Sequence, residues 1–254
     1  MPSLVLLHSG PPNSRIAIVF VHGVDGDQRE TWTNANDECW IDWIKDVAAP
    51  IYTFSHEASK TDLQNIFSLD EIADHLCKQL EQHPEIENWI FVCHSLGGLI
   101  AKRAYVKIAK DKNVTCHFFF GTPHRPSRFY FVPGFMSSWL HREHIVQTLT
   151  ADESYLHSLN GEFLELALKN HSQILSFYEN RRLFGLQIVS KAATIIGGPY
   201  TETTALYGDH SQICKFLSPE NSGFLTTRNF ITEIVEKNKA FNIRPYSRPK
   251  FPFS

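Results

Sequence analysis

The sequence has little excess charge of either sign. Its 24 lysines and arginines stand against 27 aspartates and glutamates, which leaves a formal net charge of −3 at pH 7. The basic side chains are scattered along the chain, whereas proteins that bind a phosphate backbone gather them on one face. We therefore expect no nucleic acid among the partners of this protein.

Long apolar runs are also missing. No stretch approaches the roughly 20 consecutive apolar residues that a membrane-spanning helix needs. The apolar segment 3–8 has no basic region before it, and Gly10, Pro11 and Pro12 follow too soon for a signal peptide. The segment therefore predicts a strand. We expect a cytoplasmic protein, with contact at a membrane surface as the open alternative.

Disulfide and metal motifs are sparse. The cysteines are odd in number and widely spaced, without a CxxC pair, and they are Cys39, Cys77, Cys93, Cys116 and Cys214. This pattern favours reduced thiols in a core over a disulfide framework. Among thirteen histidines, His141 and His144 form one i,i+3 pair without a carboxylate set, which leaves zinc there as an alternative. We expect no metal and no cofactor.

Short β-rich runs alternate with stretches of helical periodicity, which is typical of a mostly parallel sheet with helices on both faces. With 254 residues, 43% of them hydrophobic, one domain is expected. Segment 10–14 is predicted to join the first two strands as a hairpin-like connection. The predicted strands lie near 3–8, 15–21, 50–55, 88–93, 114–120, 172–178 and 185–191, and the predicted helices near 38–48, 68–82, 97–111, 152–169 and 222–238.

The apolar run at 89–100 stops at Ser95 and then resumes with helical spacing. A strand that turns abruptly into a helix strains the residue at the turn, and small residues two positions before and after it let the chains approach. Gly97 meets this requirement. Cys93 stands where glycine is usual, but cysteine is compact and often buried. The pattern predicts a nucleophile elbow with Ser95 as the nucleophile.

A nucleophilic serine needs a base and an acid that orients the base. His210 follows a polar, glycine-containing loop after the last predicted strand, and its alternative is an ordinary surface histidine. Glu179 ends the predicted strand 172–178, so its carboxylate can reach an imidazole; its alternative is an exposed strand-end carboxylate. Asp209 is the rival acid, although its adjacency to His210 makes the geometry awkward. Glu202 is expected in a loop that no strand positions.

An oxyanion needs two backbone N–H donors, one of which comes from the residue after the serine. That residue is Leu96. The second candidate is Val24, because the strand at 18–21 ends in the turn His22-Gly23, whose alternative is a simple tight turn. His22, Gly23, His94 and Thr122 are expected to border the pocket, and His124 is expected to line it or to be structural.

About 55 residues separate the turn at 121–124 from Glu179, which predicts an α-helical cap insertion at about 125–170. Its first part is aromatic and uncharged, and we expect three of its side chains to line the pocket: Phe131, Phe135 and Trp139. An apolar cap suits an acyl chain or a lipid surface; equally, the aromatics can pack the cap onto the body. Residues 239–254, basic and proline-rich, are expected to form a tail or linker.

These motifs together resemble a known family. The segments VFVHGVDGDQRETW (19–32), Cys39-Trp40, VCHSLGGLIAK (92–102), FFFGTPHR (118–125), ILSFYEN (174–180) and GDHSQICKF (208–216) are similar to the α/β-hydrolase domain of the serine-active-site-containing protein 1 family. Similar domains occur in multidomain signalling proteins with nucleotide-binding modules. The resemblance covers about 19–238 and implies an α/β-hydrolase domain over 1–238. It also implies a Ser95, Glu179, His210 triad, Val24 and Leu96 as oxyanion donors, and action on acyl esters such as glycerophospholipids.

The leading hypothesis is therefore a serine esterase or lipase that hydrolyses or transfers acyl groups, with an acyl ester or lipid as substrate. The alternative is an interaction or signalling module with a hydrolase fold, which an occluded Ser95 would favour. A peptidase is a third candidate, because the same triad cleaves amides. The sequence leaves the oligomeric state open.

Overall fold

The computed structural model describes residues 2–24, 26–56, 68–109, 112–125, 153–183 and 187–241. Within these residues, seven strands form one sheet: β1 (Ser3–His8), β2 (Ile16–Val21), β3 (Ile51–Ser55), β4 (Asn88–His94), β5 (Asn113–Phe120), β6 (Gln173–Glu179) and β7 (Thr201–Leu206). Five α-helices accompany them in the same ranges: α1 (Leu69–Glu81), α2 (Leu96–Ile108), α3 (Glu153–Lys169), α4 (Lys191–Thr194) and α5 (Ser222–Phe241).

The strand order is β1-β3-β2-β4-β5-β6-β7, and every pair is parallel except β1 with β3. All six residues of β2 are buried, because β2 has a strand on each side and a core on each face. Successive side chains of β2 point to opposite faces of the sheet. Ala17, Val19 and Val21 lie in the apolar core on one face, and the alternate residues lie in the core on the other. The predicted mostly parallel sheet with helices on both faces is confirmed.

Helices α1, α2 and α3 cover one face, and α5 covers the other together with the segment at 30–49. Helix α1 lies within the predicted range 68–82 and begins after the N-cap Ser68. The Ser68 hydroxyl accepts a bond from the Glu71 N–H, and the Glu71 carboxylate accepts from the Ser68 N–H. Helix α3 matches the helix predicted near 152–169, and its Leu156, Leu159 and Phe163 side chains are buried against the body.

Two predictions about local structure were wrong near the N-terminus. Residues 38–48 form successive tight turns around a 3-10 turn, Asp42–Ile44, rather than an α-helix. The N–H groups of Asp42, Trp43, Ile44 and Val47 bond three residues back. The Trp40 indole donates to the Cys214 carbonyl oxygen at 2.8 Å, so a long-range bond also fixes the segment. The hairpin between the first two strands is also absent, because β1 pairs with β3 and β2 lies beyond it.

The predicted strand at 185–191 was wrong where the structure describes it. Residues 187–190 are irregular, and Ser190 caps the short helix α4. The seventh strand is instead β7, an edge strand whose sequence, TETTAL, lacks the apolar content of a buried strand. Glu202 therefore lies in β7 and not in a loop. Helix α2 ends at Ile108, before the predicted 111.

Among the described residues, no helix combines the length and the apolar character needed to cross a membrane. Most of the predicted cap insertion and the tail beyond residue 241 lie outside the described residues, as do the histidine pair at 141 and 144 and the aromatics Phe131, Phe135 and Trp139. The domain boundaries at 238 and at 125–170 stay predictions.

Candidate active site

Ser95 lies at the junction between β4 and α2, with φ 51° and ψ −123°. For a residue other than glycine, a positive φ strains the backbone by about 1–3 kcal/mol, which the surrounding contacts must offset. The Ser95 N–H donates to the Phe120 carbonyl oxygen at 2.9 Å, and the Ser95 carbonyl accepts from the Thr122 hydroxyl at 3.0 Å. These two bonds fix the strained turn to the end of β5.

The small residues around Ser95 are needed for close contact. A β-carbon on Gly97 would lie 2.2 Å from the Val21 carbonyl oxygen, so α2 touches the end of β2 at this point. Cys93, two residues before the serine, is fully buried in the core on the α2 face. The strand, tight turn and helix of the predicted elbow are therefore present, with cysteine at the position where glycine is usual.

We expect Gly97→Ala to lower the free energy of unfolding by about 2 kcal/mol or more, because the added methyl group collides with backbone that cannot rotate away. Gly161→Ala is the matched control. Gly161 lies inside α3, and a β-carbon added there would have no atom within 4 Å, so alanine should stabilise the protein by about 0.5–1 kcal/mol through helix propensity. Urea denaturation of both variants measures the difference. Equal stability of the two variants would contradict the close contact at Gly97.

Three side chains from three separate segments meet at Ser95. The His210 Nε2 atom lies 3.0 Å from the Ser95 Oγ atom, and His210 Nδ1 lies 2.8 Å from the Glu179 Oε2 atom. Because a carboxylate only accepts, Nδ1 carries the proton and donates to Glu179. Nε2 is then the acceptor for the serine hydroxyl proton. The three predicted residues form one continuous hydrogen-bonded chain.

The carboxylate of Glu179 is held on its other oxygen by backbone groups. Its Oε1 atom accepts from the N–H groups of Ile188 at 2.6 Å and Val189 at 3.1 Å. Sequence reasoning missed these donors, since a backbone N–H leaves no side-chain signal. The bonds fix the carboxylate so that Oε2 faces the imidazole.

Asp209, the rival acid, has a different set of partners. Its Oδ1 atom accepts from the N–H groups of Ser211 and Gln212 and from the Ser211 hydroxyl. These bonds shape the turn that carries His210. Asp209 therefore stabilises the loop, and the acid bonded to the imidazole is Glu179.

The two predicted oxyanion donors are Leu96 and Val24. Leu96 is the first residue of α2, so its N–H has no acceptor within the helix. Gly23 packs against Ser95 so closely that a β-carbon on it would lie 2.9 Å from the Ser95 Cβ atom. Val24 is the next residue, and its role as the second donor stays a prediction.

The other residues that were expected to border or line the pocket make contacts of their own within the described part of the structure. His22 is buried and stacks on His56, with ring centroids 4.0 Å apart. Thr122 is buried and bonded to the Ser95 carbonyl. His94 is partly exposed and contacts the loop of His210, with its Nε2 atom 2.8 Å from the His210 carbonyl oxygen. His124 is buried, with its Nε2 atom 3.2 Å from the Ser176 hydroxyl.

Comparison with solved structures gives the fold. A mature lipase of Bacillus licheniformis superposes with a TM-score of 0.62 at 16% identity, over 92% of this chain and 98% of that one. The protein has the α/β-hydrolase fold. An α/β-hydrolase superfamily protein of Enterococcus faecalis matches with a TM-score of 0.58 at 10% identity, over 93% and 95% of the two chains. A structure from a study of carboxylesterases of Nitrososphaera gargenis matches with a TM-score of 0.56 at 14% identity, over 93% of this chain and 96% of that one.

No family model matches the chain, and no curated protein matches it. The resemblance to the serine-active-site-containing protein 1 family therefore stays a prediction. The α/β-hydrolase fold puts Ser95, Glu179 and His210 at the carboxyl ends of β4 and β6 and in the loop after β7, which is the same edge of the sheet.

Proposed function

We propose that this protein is a serine hydrolase that cleaves or transfers acyl esters. The observation that carries the proposal is the hydrogen-bonded chain Ser95, His210 and Glu179, with its first member at φ 51° on a strand-to-helix turn. A buried chain of this kind is costly unless each polar group is satisfied, and here the last carboxylate is bonded on both oxygens.

In the proposed reaction, the Ser95 Oγ atom attacks the ester carbonyl carbon while His210 Nε2 accepts its proton. The N–H groups of Leu96 and Val24 stabilise the oxyanion that develops. The leaving alkoxide departs with the proton from His210, which leaves an acyl group on Ser95. Water or another alcohol then gives a proton to His210 and attacks the acyl carbon, and the acyl product leaves as Ser95 regains its proton.

Lipid or acyl esters are the substrate class that we favour. The solved structures with this fold include a lipase of Bacillus licheniformis and a membrane phospholipase A. The apolar face of α3, a helix that falls within the predicted cap insertion, packs beside helix α2, which follows Ser95. This neighbourhood suits an apolar acyl chain better than a charged substrate.

A second candidate is an interaction module that uses the hydrolase fold without catalysis. The observation that favours it is the low exposure of Ser95, which is 6%. Against it, such a module has no need for a strained serine bonded to an imidazole. Turnover of short p-nitrophenyl esters by the isolated chain would exclude this candidate.

Labelling with a fluorophosphonate tests the proposal directly. The reagent should attach to the wild-type chain with one phosphonate per molecule, and peptide mass spectrometry should locate it on Ser95. Prior heat denaturation is the control and should abolish labelling, because reactivity depends on the folded contact with His210. Absence of labelling together with absence of ester turnover would overturn the hydrolase proposal.

A further inference from the structure

His94 connects the nucleophile elbow to the loop of the proposed base. It is the last residue of β4, directly before Ser95, and its Nε2 atom lies 2.8 Å from the backbone carbonyl oxygen of His210, 116 residues away. The two imidazole rings are also in contact, with centroids 5.1 Å apart and planes tilted by 42°. The same histidine therefore meets both the backbone and the ring of His210.

The geometry fixes the proton on the His94 ring. A carbonyl oxygen only accepts, so Nε2 carries a proton and donates it. Desolvation and the neighbouring His210 lower the pKa of His94 to about 3, which keeps the ring neutral. A neutral donor can hold the loop without adding a second positive charge when His210 becomes an imidazolium.

The other bonds of the His210 loop lead away from the elbow. Its turn is closed internally by Asp209, Gly208 is bonded to residues 180 and 181 after β6, and Cys214 is bonded to Trp40. These bonds shape the loop and join it to its own side of the sheet. The His210 ring is also held by Glu179, 2.8 Å from its Nδ1 atom, and by close packing against Gly121. The bond from His94 differs from these because it joins the backbone of the loop to the elbow.

The catalytic cycle changes the remaining connection between the loop and the elbow. In the free enzyme, His210 is bonded to the Ser95 hydroxyl at 3.0 Å. In an acyl-enzyme, the Ser95 Oγ atom is esterified and has no proton to donate, so that bond loses its donor. The bond from His94 involves no reacting atom and persists through this stage.

We propose that His94 is a positioning residue that holds the His210 imidazole at the elbow, above all during deacylation. The proposal rests on the proposed hydrolase function and extends it to a residue that touches no reacting atom. His94 acts through the His210 backbone, so its removal should slow the chemistry with little effect on substrate binding.

Two substitutions separate the hydrogen bond from the ring. His94→Phe keeps a planar ring but removes the donor, and His94→Gln keeps an N–H donor at a similar reach. His157→Phe, on the exposed side of α3, is the matched control. All are assayed as the full chain with p-nitrophenyl butyrate, by steady-state and pre-steady-state kinetics.

We expect His94→Phe to lower kcat by about 10- to 100-fold, the effect of a misplacement of about 1 Å at the reacting centre. KM should fall in parallel, because slower deacylation lets the acyl-enzyme accumulate while substrate binding is unchanged. His94→Gln should recover most of the loss. The burst of p-nitrophenol should persist in His94→Phe while the following steady state slows, because deacylation is the more impaired step. His157→Phe should match the wild type.

A wild-type kcat in His94→Phe would overturn the positioning role. Equal losses in His94→Phe and His94→Gln, with a shared fall in Tm, would also overturn it in favour of a packing role. If the wild-type chain is labelled by a fluorophosphonate at Ser95, these outcomes leave the hydrolase function intact. If it is neither labelled nor active, both proposals fail together.

Discussion

Ser95→Ala should abolish ester hydrolysis, with a fall in kcat of about 10⁶-fold for p-nitrophenyl butyrate, because loss of a triad serine alone removes nearly all covalent catalysis. Fluorophosphonate labelling should disappear as well. The serine hydroxyl is the atom bonded to His210 Nε2, and alanine offers no replacement for it. The fold should survive, since the two backbone bonds of residue 95 do not involve its side chain.

Ser158→Ala is the matched control for this experiment. Ser158 is exposed on α3, where its hydroxyl bonds to Glu162 on the same helix. Its removal should leave kcat, labelling and Tm unchanged. Undiminished labelling or turnover in Ser95→Ala, measured on protein with a wild-type circular dichroism spectrum, would mean that another residue is the nucleophile.

Glu179→Gln should lower kcat by about 10⁴-fold, because it changes which nitrogen of the His210 ring carries the proton. One amide oxygen cannot accept from His210 Nδ1 and, at the opposite side, from the N–H groups of Ile188 and Val189. If the oxygen faces the two backbone donors, the NH₂ group faces Nδ1 and shifts the ring proton to Nε2. Nε2 then has no lone pair to accept the serine proton.

Asp209→Asn distinguishes Glu179 from its rival. An asparagine keeps the carbonyl oxygen that accepts from Ser211 and Gln212, so the loop should keep its shape and kcat should stay close to the wild-type value. Steady-state kinetics with p-nitrophenyl butyrate measure both variants. A large loss in Asp209→Asn beside a small one in Glu179→Gln would assign the acid to Asp209.

The burial of Lys102 illustrates what local patterns leave out. The sequence predicts a helix near 97–111, and a lysine in it would ordinarily reach solvent. In the structure, Lys102 is fully buried; its Nζ atom donates to the Asn160 side chain and lies 5.2 Å from the centre of the Phe163 ring. Desolvation lowers the pKa of this amine well below its usual range. The cause is the packing of α3 over α2, which the sequence of α2 does not contain.

Sequence alone determined the elements whose signals are local. Buried strands of a mostly parallel sheet need continuous apolar runs, so β2 to β6 were predicted, and the edge strand β1 was predicted because its own sequence is apolar. The elbow at Ser95 was predicted because it needs small neighbours at fixed spacing. Strand β7 was missed because an edge strand does not need a buried apolar face. The order of serine, carboxylate and histidine along the chain also gave the three members of the hydrogen-bonded chain.

Only the tertiary structure decided how these residues are held. The donors to Glu179 are backbone N–H groups, the partner of His94 is a backbone carbonyl, and β1 pairs with β3 instead of its neighbour in sequence. Backbone groups are the same at every residue, so no residue type marks which of them will meet a side chain far along the chain. Long-range packing determines which backbone groups meet which side chains, and it places the His210 Nε2 atom 3.0 Å from the Ser95 Oγ atom.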